Sequence, residues 1–139
     1  MTIPGAPRCG RRVFPEEDDV TNVVVLRGRL SRAPGERLLP SGDRLTTFDL
    51  TMAAVPGDGR GRADSVGLSW FEAPEWVGGL EAGAELVVLG RIRRRFFHAG
   101  TGLQSRTEVV VEHAVPARHS ARAAALLHRA AARCEQPPP

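Results

Sequence analysis

The chain has 139 residues but contains no lysine, no tyrosine and only two cysteines. Cys9 and Cys134 lie near opposite ends, without the paired spacing of a zinc site or a disulfide framework, so we interpret both as reduced thiols. The four histidines form no metal-ligand pattern with carboxylates or thiols, and no nucleophile motif accompanies them. We therefore expect a non-enzymatic protein with no metal and no cofactor.

Long apolar runs are also missing. No stretch approaches the ~18 residues that a membrane-spanning helix needs, and the N-terminal stretch MTIPGAPRCGRR lacks the hydrophobic segment of a signal peptide. The sequence thus predicts a cytoplasmic, nucleoid-associated protein with no membrane partner.

Because lysine is absent, all 19 basic residues are arginine, and the formal net charge is +3. Genome composition alone could cause this bias, but arginine also binds phosphate through its planar fork and stacks on flat rings. The charge is uneven along the chain: residues 90–107 contain five arginines and no acid, whereas residues 16–19 are all acidic. This asymmetry favours a polyanionic partner.

Five stretches predict β-strands, because β-branched or alternating apolar residues recur between strong turn signals. A sixth stretch allows a short helix before glycines break it. This order predicts an all-β protein with a five-stranded OB-fold barrel and a short helix between strands three and four, although turn spacing alone also fits a small sandwich. The predicted strands are 22–30, 44–52, 64–71, 84–97 and 106–114, and the predicted helix lies within 74–80.

The alternation within two strands predicts which side chains share a face. In the second strand, Phe48, Leu50 and Met52 form an apolar face. In the fourth strand, GRIRRRFF places a row of arginines on one face and apolar residues on the other. The arginine row is Arg91, Arg93 and Arg95, continued by Phe97; the apolar row is Leu86, Val88 and Ile92, and Phe96 is assigned to packing because it faces away from Phe97.

Composition divides the chain into three parts. Residues 1–19, rich in proline, glycine and charge, are predicted to be disordered, and residues 20–116 form the OB-fold domain. Residues 117–139 combine an alanine-rich helix with a proline tail. The helix places four arginines on one face, which we interpret as a solvated cationic face or as a second nucleic-acid contact. These are Arg118, Arg122, Arg129 and Arg133, with Ala123, Leu127 and Ala130 facing elsewhere.

Three segments resemble bacterial single-stranded DNA-binding proteins (SSBs), most of all the short, arginine-rich SSB-like proteins of high-GC actinobacteria. NVVVLRGRLSRAPGERLLPSGDRLTTFDLTM is similar to the opening of that family, GLEAGAELVVLGRIRRRFF to its short helix and basic strand, and RTEVVVEHA to its final strand. The segments occur in the family's order over roughly residues 21–115. The resemblance implies an OB-fold that binds single-stranded DNA with little base preference.

The family holds single strands with a basic groove and stacking aromatics, and the resemblance places Phe97 at one stacking position and Trp70 near another. Two further family aromatics are missing here, since Pro56 and Asp64 lie near their positions. The ending CEQPPP also lacks the acidic tip through which many SSBs recruit repair enzymes, so such recruitment is not expected. The candidate nucleic-acid-binding residues are Arg27, Arg29, Arg44, Trp70, Arg91, Arg93, Arg95, Phe97 and Arg106.

The first strand predicts an assembly. Residues 23–26 are all apolar, which is too many for a strand with one face in water, so a second face needs cover. SSB-like chains meet this need by pairing first strands, and the resemblance therefore implies a homodimer or homotetramer. The alternative is that the C-terminal helix folds over this strand and keeps the protein monomeric.

The leading hypothesis is a binder that protects or organises single-stranded DNA in replication, repair or recombination. A second is an OB-fold protein-interaction module with little DNA affinity, which the missing aromatics motivate. A third is an RNA-binding OB domain, because backbone and stacking contacts scarcely distinguish the two polymers.

Overall fold

The structure is a computed structural model that describes residues 21–53, 56–57 and 63–135. The segment predicted to be disordered, 1–19, and the proline tail from residue 136 lie outside the described residues. Six strands and two helices follow one another in the described chain: β1 (Val24–Leu30), β2 (Gly35–Leu38), β3 (Arg44–Met52), β4 (Asp64–Phe71), α1 (Glu75–Gly78), β5 (Glu85–Ala99), β6 (Gly102–Pro116) and α2 (Ser120–Glu135).

The strands form one sheet in the order β1-β5-β6-β4-β3-β2, and a further pairing of β1 with β3 closes it. All neighbours are antiparallel except β4 and β6, which run parallel at Leu68 and Val109. The short helix α1 connects β4 to β5. This is the OB-fold barrel that the sequence predicted, with the helix in the predicted place.

Two segments that the sequence predicted as turn and loop are strands. Within RAPGERLLPSGD, residues 35–38 form β2, which pairs with β3 although all four residues are exposed. Within HAGTGLQS, β5 and β6 continue as a paired hairpin almost to its tip at Gly100 and Thr101. Neither segment shows apolar alternation, because neither faces a core on either side.

The barrel core lies on the predicted apolar face of β3, where Phe48 and Leu50 are buried. They pack with Leu68 of β4 and with Leu86 and Val88 of β5, as the alternation predicted. Gly28 lies where β1 passes from β5 to β3, and an added Cβ there would come within 2.6 Å of the Thr51 carbonyl oxygen. The close strand crossing therefore requires glycine.

The helix α2 covers an outer face of the barrel. Leu126 and Ala130 are buried against Val87 and Leu89 of β5, with Val23 at the margin. The helix was predicted, but Leu127 is half exposed, and Leu126 is the leucine that packs. The helix thus covers Val23 just before β1, whereas Val25 on the same face of β1 remains 38% exposed.

The arginine face predicted for α2 is divided between two environments. Arg129 donates a hydrogen bond to Nε2 of His113 at 2.6 Å, and Arg133 donates to Glu112. Glu112 is the extra residue of a β-bulge, because Leu89 lies opposite His113 while Gly90 lies opposite Val111. Half of the predicted cationic face thus binds strand β6. Arg122 remains exposed on α2, whereas Arg118 is exposed in the turn before the helix, which begins at Ser120 and not at residue 117.

No helix in the described part of the chain is long and apolar enough to cross a membrane. Likewise, the described residues contain no group of three or more His, Cys, Asp or Glu side chains placed to hold a metal ion.

Candidate nucleic-acid interface

An open cleft of about 620 Å³ lies on the outer face of the barrel. One wall comes from the β5–β6 hairpin, the other from the β1–β2 connection and β2, and β3 and β4 form the floor. We call it the arginine cleft; its charged and aromatic lining residues are Arg32, Arg37, Phe48, Asp49, Arg95, Phe97, Arg106 and Glu108.

Three arginines of the cleft have no carboxylate within 4 Å among the described residues: Arg37, Arg95 and Arg106. Arg95 and Arg106 stand directly opposite each other on β5 and β6, on the same face of the hairpin. Like charges directly opposite in an antiparallel pair destabilise the sheet. An anion between the two guanidinium groups would relieve that repulsion.

The two acids of the cleft are each paired with an arginine. Asp49 accepts a hydrogen bond from Arg32 at 2.9 Å, and Glu108 accepts one from Arg93 at 2.6 Å. Each carboxylate is thus hydrogen-bonded to another arginine, and because Arg37, Arg95 and Arg106 have no ion-pair partner of their own among the described residues, the cleft has a positive excess. This is the electrostatic character that attracts a polyanion.

Glu108 is buried at 6% exposure and is held from two sides. Ser69 donates a hydrogen bond to Oε2 at 2.6 Å, while Arg93 binds Oε1. Burial raises the pKa of this carboxyl, but the hydrogen bonds from Ser69 and Arg93, together with the charges of Arg93 and Arg95, outweigh burial and bring the pKa below its ordinary value. Glu108 is therefore ionised at neutral pH and fixes Arg93 in place.

Besides the buried Phe48 of the floor, two partly exposed aromatic side chains lie at or beside the cleft. Phe97 lines the cleft two residues beyond Arg95 on the same face of β5, and it is half-buried. Phe71 is 37% exposed at the end of β4, and the Arg93 guanidinium lies 5.7 Å from the centre of its ring. The cleft thus combines cationic groups with partly exposed aromatic faces.

Phe96 corrects a prediction. It was assigned to packing, but its side chain is 61% exposed on the opposite face of the hairpin from Phe97. Ile92 and Leu103 are also exposed on that face. The hairpin extends beyond the pairings of β5 with β1 and of β6 with β4, so no other described strand covers this face.

Of the nine candidate residues, the structure brings four together. Arg95, Phe97 and Arg106 line the arginine cleft, and Arg93 reaches it through Glu108.

The other five candidates lie elsewhere. Arg27 and Arg29 pair with Glu85, whose pKa is lowered mainly by the hydrogen bond from Arg27. Arg44 pairs with Glu36, and Arg91 lies 3.9 Å from Glu112 beside α2. None of these four arginines lines the cleft, and each is instead within 4 Å of a carboxylate outside it.

Trp70 also departs from the expected role. Its side chain is 7% exposed in the barrel core, and its ring meets that of Trp76 edge-on with centroids 6.2 Å apart. A base could not stack on Trp70 without opening the core.

Arg32 and Arg37 line the cleft, although neither was among the predicted binding residues. Both occur in the stretch that was interpreted as a turn, and a turn predicts no common face. The signal that could have found them is the RAPGER sequence itself, in which two arginines flank a Pro-Gly pair ahead of the second alternating strand.

No protein-family model matches the chain, and no curated protein matches it. Among solved structures, a similar chain is that described as a Plasmodium falciparum SSB complex with ssDNA, at 18% sequence identity and a TM-score of 0.62. The match covers 70% of this chain and 96% of that one. At this level of identity the likeness concerns the fold, and the chain has an SSB-like OB-fold that is followed by the helix α2.

Proposed function

We propose that this protein binds single-stranded DNA in the arginine cleft with little base preference. The observation that carries the proposal is the placement of Arg95 opposite Arg106, with Arg37 across the cleft and no acid paired to any of the three among the described residues. Such a cluster costs stability unless an anion occupies it. A nucleic-acid backbone that runs along the cleft would place successive phosphate groups next to these arginines.

The presence of Phe97 in the cleft favours binding of single-stranded DNA over binding of duplex DNA. Unpaired bases stack on aromatic side chains with a gain of ~1 to 3 kcal/mol for each base, whatever its identity. A duplex buries its bases in its own stack and offers only phosphates. Because the cleft combines unpaired arginines with one well-placed ring, we expect binding that is tolerant of sequence and dominated by phosphate contacts.

Fluorescence anisotropy with oligo-dT, oligo-U and duplex DNA of equal length tests this function. Tight binding of oligo-dT with weaker binding of the duplex is the expected result. A clear preference for oligo-U would instead make the protein an RNA-binding OB domain, and equal affinity for the duplex would exclude a role for stacking.

A protein-interaction function is the second candidate, and the exposed side chains of Ile92, Phe96 and Leu103 favour it. These residues form an apolar face on the hairpin that the cleft does not use. Absence of binding to all three nucleic acids in the anisotropy experiment would support this candidate and exclude the first.

A sequence-tolerant binder of this kind would protect or organise single-stranded DNA during replication, repair or recombination, at the nucleoid in the cytoplasm. The resemblance to SSBs also implies a homodimer or homotetramer. The residue-based reason for such an assembly was the uncovered face of the first strand. The helix α2 covers Val23 of that face together with Val87 and Leu89 of β5, and it leaves Val25 38% exposed. Because most of this apolar surface is covered within the chain, we propose that the free protein is a monomer, which is the alternative that the sequence left open.

A further inference from the structure

The chain enters β1 along the edge of the arginine-rich strand β5. The side-chain amide of Asn22 donates a hydrogen bond to the carbonyl oxygen of Ile92, and its side-chain oxygen accepts one from the Ile92 amide, both at 2.9 Å. This pair of bonds continues the β1–β5 ladder by one step beyond Val24, which lies opposite Gly90. Asn22 thus ends the ladder while holding the chain against the edge of β5.

Beyond Ile92 this edge of β5 has no partner strand among the described residues, because β6 occupies only the other edge. Backbone groups on one strand alternate between its two edges. Since the Ile92 groups point toward Asn22, those of Arg94, Phe96 and His98 point toward the same unpaired edge. The edge therefore offers free donors and acceptors beside a row of cationic side chains.

The residues immediately before Asn22 have the complementary charge. Glu16, Glu17, Asp18 and Asp19 form the acidic run of the sequence, separated from Asn22 by two residues. An extended chain spans at most ~3.3 to 3.6 Å per residue, so Asp19 lies within ~11 Å of Asn22. On β5, a similar distance separates Ile92, which is bonded to Asn22, from Arg94 and Arg95, because these follow it by only two and three residues.

Both arginines are free to bind a carboxylate of the acidic run. Arg94 and Arg95 are exposed, and neither has a carboxylate within 4 Å among the described residues. Arg94 lies on the hairpin face with Ile92 and Phe96, whereas Arg95 lies on the cleft face. An acidic segment that follows the edge can therefore reach a free guanidinium group on either face.

We propose that the acidic run 16–19 of this chain binds along the free edge of β5 and occupies Arg94 and Arg95 when no nucleic acid is present. The short tether gives the run an effective concentration in the millimolar range, while its carboxylates compensate the arginine charge. Aspartate and glutamate are poor strand formers, so the contact is weak and a phosphate backbone can displace it. Binding to the edge stands independently of the proposed function, whereas competition with DNA rests on it.

The test compares two variants of the full chain that remove the same charge. E17Q/D18N/D19N neutralises three of the four carboxylates of the acidic run, and E75Q/E81Q/E135Q neutralises three exposed carboxylates elsewhere. Amide resonances are recorded without nucleic acid at low ionic strength. We expect the resonances of residues 93–98 to shift in the first variant and to stay in place in the second. Because this readout involves no DNA, it is separate from failure of the proposed function.

Salt provides an internal check, because ions screen exposed charges over ~10 Å at 0.1 M and only ~3 Å at 1 M. The wild-type resonances of the hairpin should therefore move toward those of E17Q/D18N/D19N as salt is added. Identical hairpin resonances in the wild type and both variants at low salt would overturn the proposal. Shifts that depend on protein concentration would also overturn it, since the edge would then bind a second copy.

The competition has its own readout in oligo-dT affinity. Loss of the three carboxylates at residues 17–19 should tighten binding about threefold more than loss of the three distant carboxylates at low salt, and the difference should vanish as salt rises. The two variants could instead gain the same oligo-dT affinity while the hairpin resonances shift only in the first. The run would then bind the edge without competing with DNA, and the competitive part of the proposal would be overturned.

Discussion

Arg95 and Arg106 lie directly opposite each other across the β5–β6 hairpin, so that two guanidinium groups share one face with no intervening acid among the described residues. An ordinary surface hairpin places opposite charges at such a position, because like charges facing one another lower its stability. The arrangement is explained if a bound anion forms part of the functional state. Arg37, on the other wall of the same cleft, extends this cationic surface.

The first prediction concerns the salt dependence of binding. Each phosphate contact on a single strand contributes ~0.7 to the slope of log affinity against log salt. The variant R37A/R95A/R106A should therefore flatten the slope for oligo-dT by about 2. Anisotropy titrations at several salt concentrations measure this slope.

The matched control for that variant is R27A/R29A/R44A, which removes the same charge from arginines that pair with Glu85 and Glu36 outside the cleft. Its slope should stay close to that of the wild type. If both variants flatten the slope equally, the protein attracts DNA through its overall charge and the cleft has no special role.

The second prediction uses two adjacent phenylalanines on opposite faces of β5. Phe97→Ala should weaken oligo-dT binding by ~1 to 3 kcal/mol with little change in salt slope, because stacking releases no counterions. Phe96→Ala should leave the affinity unchanged, since Phe96 faces away from the cleft. The opposite ranking of the two variants would move the DNA path to the apolar face of the hairpin.

The third prediction concerns Glu108, which holds Arg93 at 2.6 Å. In Glu108→Gln the charge that retains Arg93 is lost, and this arginine becomes free to contact a phosphate. The salt slope for oligo-dT should then steepen by ~0.7. An unchanged slope in this variant would show that Arg93 acts only within the fold.

Glu108 also gives a fourth prediction, on stability against pH. Its pKa is lowered in the folded state, so its stabilising contribution is complete above the unfolded value of ~4.3 and is lost as the pH falls through the lower, folded value. At pH 7, Glu108→Gln should lower the free energy of unfolding by about 1.5 to 3 kcal/mol, the range for a hydrogen bond to a charged group. Urea unfolding at several pH values should show the two proteins converging in acid. A constant difference down to pH 2 would contradict the role assigned to the ionised carboxyl.

The barrel could be predicted from the sequence because its signals are local. Alternation placed Phe48 and Leu50 in the core, and the residues of β5 followed the same period. β2 was missed because a four-residue edge strand with no buried side chain leaves no alternation to detect. The burial of Leu126 rather than Leu127 was also missed, since adjacent residues of a helix lie about 100° apart and only packing shows which of the two leucines faces the barrel.

The cleft was less predictable, because it depends on which outer faces of a closed barrel converge. Alternation correctly separated Phe97 from Phe96, but it could not show that Arg27 and Arg91 point toward other parts of the surface. Trp70 was chosen from its position in the resemblance, whereas its ring completes the core beside Trp76. Periodicity assigns a residue to a face of a strand, and only the three-dimensional closure of the sheet determines what that face meets.

The fifth prediction concerns assembly, and the two adjacent leucines of α2 test it. Leu126 is buried against Val87 and Leu89, whereas Leu127 is half exposed. Leu126→Arg would either bury an unpaired charge or detach the helix and expose the apolar surface beneath it. The loss of folding free energy should be comparable to the ~2 to 5 kcal/mol lost when a buried leucine is removed. Light scattering should find the wild type and Leu127→Arg monomeric and Leu126→Arg associated. A wild-type dimer or tetramer would instead support the assembly implied by the SSB resemblance, because self-association would then occur while α2 still covers the barrel.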